Sequence, residues 1–237
     1  MSAAVLLHGF TLTGRSWDPV LARLPPDVDT RALDLRGHGA ARDARPIDVG
    51  AVVEDVAAAT PAGATLGGYS LGGRVALRAA LDRPGRFGRL VLVGATAGIA
   101  DPAERARRRD ADAALAARME GMTMEAFAEE WGALDVFATQ PPEVRALAHA
   151  DRLRNEPRAL AAALRALGPG AMEPIWDRLG ELALPVTLVA GDRDPKYVDL
   201  ARRMAERIAG AEVVVVPGAG HAVHLEDPDA VAALLIP

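Results

Sequence analysis

The stretch Gly67-Gly68-Tyr69-Ser70-Leu71-Gly72-Gly73 follows a short apolar run, residues 64–66, and opens an amphipathic run, residues 74–83. A strand therefore turns sharply into a helix with Ser70 at the apex, the G-x-S-x-G pattern of a nucleophile elbow. Gly68 and Gly72 lack Cβ atoms, so strand and helix can approach closely while Ser70 takes a backbone conformation that an ordinary packed turn would not tolerate. The hydroxyl then projects into a cleft. Leu71 offers a backbone N–H at a helix N-terminus, where unpaired donors and the helix dipole stabilise developing negative charge. The competing reading is a glycine-rich strand-to-helix turn carrying a solvated serine.

Upstream, residues 3–7 form a continuous apolar run that reads as a buried strand, and His8-Gly9-Phe10 is the loop leaving it. His8 reads as a structural histidine holding that loop. Residues 16–24 fit a helix with Trp17 and Val20 facing inward, stopped by Pro25-Pro26. Residues 30–35 read as a second strand, and the following Arg36-Gly37-His38-Gly39 as a tight, surface-like loop. A helix over 48–60, a third strand over 64–69 and a fourth over 89–93 complete an alternation typical of a parallel sheet covered on both faces. From 101 to 179 no strand pattern occurs, only helical segments broken at Gly121, Pro141-Pro142, Pro157 and Gly168-Pro169-Gly170. This predicts a helical cap, residues 98–183, inserted after the fourth strand of a core formed by 1–97 and 184–237. The alternation then resumes with a strand over 186–190, a helix over 198–208, a strand over 212–216 and a closing helix over 227–235.

Bulk properties narrow the function. With 237 residues, 50% hydrophobic and 25% charged, the chain suffices for one large domain with a small insertion. A formal net charge of -5 leaves no electrostatic footprint for nucleic acid or an anionic membrane. The absence of cysteine excludes a disulfide framework and thiolate metal ligation. No H-E-x-x-H motif is present either, so neither metal nor organic cofactor is expected. The first ten residues have no basic segment, and their apolar run is too short for a signal peptide or membrane span, so a cytoplasmic protein is expected. Lys196 is the only lysine, which makes arginine count a weak argument by itself.

A serine hydroxyl is a poor nucleophile or base until an imidazole takes its proton, and the imidazole needs a carboxylate on its other nitrogen. The order Ser, acid, His, each on a loop after a strand, is met by Gly191-Asp192-Arg193-Asp194 after residues 186–190 and by Gly218-Ala219-Gly220-His221 after residues 212–216. His221 is the candidate, with His224 as support for its loop. His149, in a helical segment, and His38 fit solvated or locally bonded roles better. Between Asp192 and Asp194 the residues alone do not choose.

Together, HGF, GYSLGGR, GDRDP and GAGHAVHLEDP resemble the α/β-hydrolase superfamily across almost the whole chain. The resemblance implies a mostly parallel sheet of about six strands, Asp194 as the acid through the G-x-x-D pattern, and the backbone N–H groups of Phe10 and Leu71 as an oxyanion hole. Relative to the superfamily, the sequence starts at the strand before HGF, which puts the edge of the sheet in question. Arg74 after the elbow, the AERARRRDAD stretch, the WGALDVFA segment and RLRNEPRALAAALRALGPG resemble the 2-succinyl-6-hydroxy-2,4-cyclohexadiene-1-carboxylate synthases of menaquinone biosynthesis. That resemblance implies elimination of pyruvate from a small polycarboxylate, with His221 drawing the proton of Ser70 and Ser70 acting as base. Carboxylates call for arginines. Arg74, Arg108 and Arg152 are the expected binding residues, with Tyr69 and Trp131 lining the pocket. For Arg108 the alternative is an i,i+4 pair with Asp112, and for Arg105 and Arg109 a solvated face. The rival readings are a serine carboxylesterase using the same residues through an acyl-enzyme, and a non-catalytic binding protein of the same fold. Oligomeric state is not legible.

Overall fold

The computed structural model describes residues 3–236. Six strands, β1 (Ala3–Leu7), β2 (Asp29–Leu33), β3 (Thr65–Tyr69), β4 (Arg89–Val93), β5 (Val186–Gly191) and β6 (Glu212–Val216), form one sheet in the order β2-β1-β3-β4-β5-β6. Every pairing is parallel. This is the expected α/β-hydrolase architecture, with the sheet wholly rather than mostly parallel.

Side chains alternate across the sheet with a period of two. Val5, Leu7, Leu90, Leu92 and Leu188 enter one core with α2 (Val49–Ala59), α3 (Leu71–Asp82) and α8 (Pro195–Ala205). Leu6, Val91, Val93 and Val189 enter the other with α1 (Asp18–Leu21), α9 (Val223–Glu226) and α10 (Pro228–Leu235). Both faces are covered, which explains why the strands read as continuous apolar runs rather than as alternating ones.

Between β4 and β5 lie α4 (Pro102–Met119), α5 (Met124–Gly132), α6 (Pro142–Arg152) and α7 (Pro157–Leu167), with no strand among them. Three of these helices begin at a proline, whose fixed φ and missing N–H suit a first turn. Helices α4, α5 and α7 share a separate hydrophobic cluster of Met119, Phe127, Leu160 and Leu164. Among the described residues no helix is long and apolar enough to cross a membrane.

Boundaries differ from expectation where a local rule was overridden. The helix expected over 16–24 is a 3₁₀ turn, Gly14–Trp17, followed by the single turn of α1, because Pro19 cannot donate to the carbonyl of Arg15. Trp17 and Val20 are nonetheless fully buried. Strand β2 ends at Leu33, level with the end of β1, and the Leu35 N–H turns instead to His8. Helix α8 starts at Pro195 rather than Val198, since Asp194 caps it by accepting from the Tyr197 N–H. Asp227 likewise caps α10.

One of the tight backbone approaches in the fold is at the elbow. A Cβ on Gly72 would lie 2.2 Å from the Leu7 carbonyl oxygen of β1. Alanine is the better helix former by about 1 kcal/mol, yet Gly72→Ala should destabilise the protein by about 2–4 kcal/mol, because backbone must move to admit one methyl. Urea unfolding measures this, and an unchanged or raised midpoint would contradict it.

Candidate active site

At the end of β3 the chain reverses through Ser70, whose φ of 49° and ψ of -105° lie in a region a serine rarely enters. The Ser70 N–H donates to the Val93 carbonyl at 2.9 Å and the Gly72 N–H to the His8 carbonyl at 3.0 Å, so the strained turn is tied to strands on both sides. Ser70 lines a cavity of about 990 Å³ between the sheet and the cap. His221 and Asp194 line the same cavity. The His221 Nδ1–H donates to Asp194 Oδ2 at 2.8 Å, so in the neutral ring Nε2 is the acceptor nitrogen. Asp192 is exposed and accepts instead from the Gly218 N–H at 2.8 Å. The two carboxylates thus divide their work: Asp194 meets the imidazole and Asp192 closes the adjoining turn. Among the described residues the Ser70 hydroxyl has no hydrogen-bond partner, His221 included.

The loop after β1 faces the elbow. Neither the Phe10 N–H nor the Leu71 N–H has an acceptor among the described residues, and both residues line the cavity. The Gly9 carbonyl accepts from the Leu12 N–H at 3.2 Å and from His8 Nδ1–H at 2.8 Å. In a trans peptide the C=O and N–H point in opposite directions, so fixing that carbonyl also fixes the N–H of Phe10. His8 is itself fixed: its Nε2 accepts from the Leu35 N–H at 2.9 Å, which requires the neutral Nδ1–H tautomer.

Arg74 is buried beside Ser70, with its Nη1 3.2 Å from the Met172 sulfur and no carboxylate partner among the described residues. Burial lowers its pKa to about 10. Arg108 lines the cavity while its Nε donates to Asp112 Oδ1 at 2.8 Å, so the i,i+4 pair and the cavity position coexist. Arg152 is placed apart from the main cavity, in a small space behind Phe10, Tyr69 and Phe137, with its guanidinium 5.2 Å over the Phe137 ring and no ion-pair partner among the described residues. Trp131 lines the cavity edge-on to Phe10, with ring centroids 5.2 Å apart. Tyr69 is another wall residue, and burial holds its phenol well above the usual range. Arg105 pairs with Glu173, outside the lining. Among the described residues no three His, Asp or Glu side chains gather as a metal site.

A model of the alpha/beta hydrolase family matches residues 4–234. The chain belongs to this family. A 2-succinyl-6-hydroxy-2,4-cyclohexadiene-1-carboxylate synthase from Enterobacter sp. (strain 638) is 34% identical over 238 residues, covering 98% of this chain and 89% of the relative. The solved structure of MenH from S. aureus superposes with a TM-score of 0.91 at 30% identity, covering 99% and 91% of the two chains. A thermophilic esterase from Thermogutta terrifontis, solved with malate bound, gives a TM-score of 0.82 at 27% identity, covering 99% and 88%.

Within this alpha/beta hydrolase, several cavity residues escaped the sequence reading. Tyr197, in the first turn of α8, stacks 4.3 Å from His221; placing the helix start at Pro195 would have revealed it. Phe137, Val136 and Leu134 reach the cavity from the connection after α5, and Arg107 from α4; they lie in the WGALDVFA and AERARRRDAD stretches that carried the resemblance, but nothing singled them out within those stretches. Of the two roles expected for His38 the local bond is present, with Nδ1 3.3 Å from the Arg36 carbonyl oxygen, but the ring is fully buried rather than solvated, packed 4.8 Å from His8 and 5.7 Å from Phe10. His224 is buried between Trp17 and Tyr69 with neither ring nitrogen hydrogen-bonded.

Burial holds these histidines neutral: the pKa falls to about 4 for His8 and about 3 for His224, and lies well below its ordinary value for His38. An imidazole whose folded pKa is depressed favours the fold above its unfolded pKa, and this contribution is lost as pH falls. Melting temperature should therefore drop steadily from pH 6.5 to pH 4 and below. His224→Phe should be neutral or stabilising at pH 7, since it removes two unsatisfied ring nitrogens, and should flatten that acid loss. A melting curve with an unaltered pH slope would contradict this.

Proposed function

We propose that the chain is a pyruvate-releasing lyase of the 2-succinyl-6-hydroxy-2,4-cyclohexadiene-1-carboxylate synthase type, with Ser70, His221 and Asp194 as its proton-transfer relay. The observation that carries the choice of lyase is Arg74, a buried guanidinium beside Ser70 with no carboxylate of its own among the described residues. Burying an unpaired cation costs several kcal/mol, so the position makes sense when a substrate carboxylate completes the pair. The similarity to the Enterobacter synthase and to S. aureus MenH supports the same reading.

In the proposed reaction His221, oriented by Asp194, takes the hydroxyl proton of Ser70 through Nε2 as Ser70 removes a ring proton. The electron pair of that C–H bond becomes a ring double bond, and the C–O bond to the enolpyruvyl group breaks. The departing enolate takes up at its methylene carbon the proton that His221 received and leaves as pyruvate, so Ser70 keeps the ring proton as its hydroxyl and His221 returns to its neutral form. Negative charge that develops as the ring proton leaves lies against the Phe10 and Leu71 N–H groups. Arg74 and Arg108, which line the cavity, are assigned to carboxylates, and Tyr69 and Trp131 to the walls; Arg152 would join them only if Phe137 moved aside. Residues 98–183 act as the cap on a core of 1–97 and 184–237. The enzyme works in the cytoplasm without a metal or organic cofactor. A carboxylesterase is the second reading, favoured by the likeness to the Thermogutta esterase.

Two measurements test these assignments. Asp194→Asn should reduce pyruvate release from the 5-enolpyruvyl intermediate by on the order of a thousandfold, as the loss of a triad carboxylate does, whereas Asp192→Asn should change it little; the reverse order would move the role to Asp192. Arg74→Ala should cost about 2–5 kcal/mol in kcat/KM for the polycarboxylate and leave cleavage of a neutral p-nitrophenyl ester nearly unaltered. Equal losses on both substrates would remove Arg74 from carboxylate recognition, and a preference for the ester would favour the esterase.

A further inference from the structure

The loop that carries Phe10 is held not by the sheet domain alone but also by the far end of the cap. Asn155, in the connection between α6 and α7, is buried, with 4% of its surface exposed. Its Oδ1 accepts from the Gly39 N–H at 2.9 Å, and its Nδ2 donates to the Thr11 carbonyl at 2.9 Å and to the Arg152 carbonyl at 3.3 Å. A backbone donor on one side and two carbonyls on the other leave the amide a single satisfactory orientation. One turn earlier, Asp151 accepts from the Thr13 N–H at 2.8 Å and the Thr13 hydroxyl at 2.5 Å. Residues more than 100 positions apart in sequence are thereby joined around one turn.

That turn needs holding. Thr11 is β-branched, fully buried, and has a φ of 71°, a left-handed conformation that costs such a residue free energy and persists only where its surroundings over-determine it. Its own hydroxyl has no partner and contributes nothing to the restraint. The Leu12 N–H closes the turn on the Gly9 carbonyl at 3.2 Å, and the Asn155 amide grips the carbonyl of Thr11 inside it. If Thr11 relaxed toward negative φ, the flanking peptides would rotate, and with them the Gly9 carbonyl and the Phe10 N–H.

We propose that Asn155 is a positioning residue for catalysis: by holding Thr11 in its left-handed conformation it aims the Phe10 N–H at the reacting oxygen, so the cap helps to build the oxyanion hole as well as the pocket. This rests on the reading of Phe10 as an oxyanion donor. The isosteric Asn155→Asp keeps an acceptor for Gly39 but sets a carboxylate oxygen against the Thr11 carbonyl. It touches no substrate, so it acts on turnover and not on affinity.

The test measures labelling of Ser70 by a fluorophosphonate, whose phosphoryl oxygen occupies the oxyanion hole whatever the natural substrate. It is paired with kcat and KM for pyruvate release. Asn155→Asp is expected to slow labelling and kcat about tenfold or more, within the range for a displaced oxyanion donor, with KM unchanged. Thr11→Gly, which removes the strain, should restore most of the loss when combined with it, a coupling that general damage to the fold would not produce. If Asn155→Asp does not fold, Asn155→Ala is read in its place. Wild-type labelling rates in the folded variant, or a loss that Thr11→Gly leaves untouched, would overturn the proposal. Failure of the wild-type protein itself to label would overturn the assignment of Ser70, and the positioning role with it.

Discussion

The contact on which the site depends is between two backbones: the first turn of α3 rests on the end of β1 at a distance that only a residue without a Cβ permits. At Gly72 a methyl would sit 2.2 Å from the Leu7 carbonyl, and the Gly72 N–H donates to the next carbonyl, that of His8. This approach sets the elbow and the loop after β1 side by side, so that Ser70, the Leu71 N–H and the Phe10 N–H open onto one cavity. A second close approach does the same for the other half of the site. A Cβ on Gly191 would lie 2.1 Å from the Ala219 carbonyl, which brings the loop of Asp194 against that of His221.

Around these contacts the protein spends stability on chemistry. Ser70 and Thr11 hold positive φ values, Arg74 is buried without a counter-ion among the described residues, and the rings of His8, His38 and His224 are kept neutral by burial. Each would be removed if stability alone decided the sequence, and all of them lie at or directly behind one cavity wall. His221, in contrast, is well supported: Asp194 orients one nitrogen, while Tyr197 and Tyr69 pack at 4.3 Å and 5.3 Å from its ring. Proton transfer demands an imidazole held in one plane, and aromatic walls supply that restraint without competing for its nitrogens.

The sheet was legible because its central strands, buried on both faces, are short apolar runs that end at glycine-containing loops, and β1 and β4 match the sequence reading residue for residue. The elbow, His221 and the two carboxylates were legible for a related reason, since each sits on the loop after a strand. Choosing Asp194 over Asp192 required resemblance, because adjacent loop carboxylates differ only in where the backbone aims them. The cavity wall was less accessible. Phe137 and Leu134 arrive on an irregular connection between cap helices, and Tyr197 was hidden by a helix start placed three residues late. His38 read as solvated or locally bonded beside two glycines, and its bond to Arg36 is local, but its burial depends on Phe10 and His8 arriving from another loop, and no local pattern encodes that. The Asn155 bridge is the extreme case, joining segments separated by most of the cap.

The central claim is that Ser70 carries a proton rather than an acyl group. Intact-protein mass spectrometry of samples quenched during turnover of the 5-enolpyruvyl intermediate tests it most directly. The account predicts an unmodified protein mass at every time point while pyruvate accumulates in the same samples. A covalent adduct that builds up on Ser70 in step with turnover would contradict it.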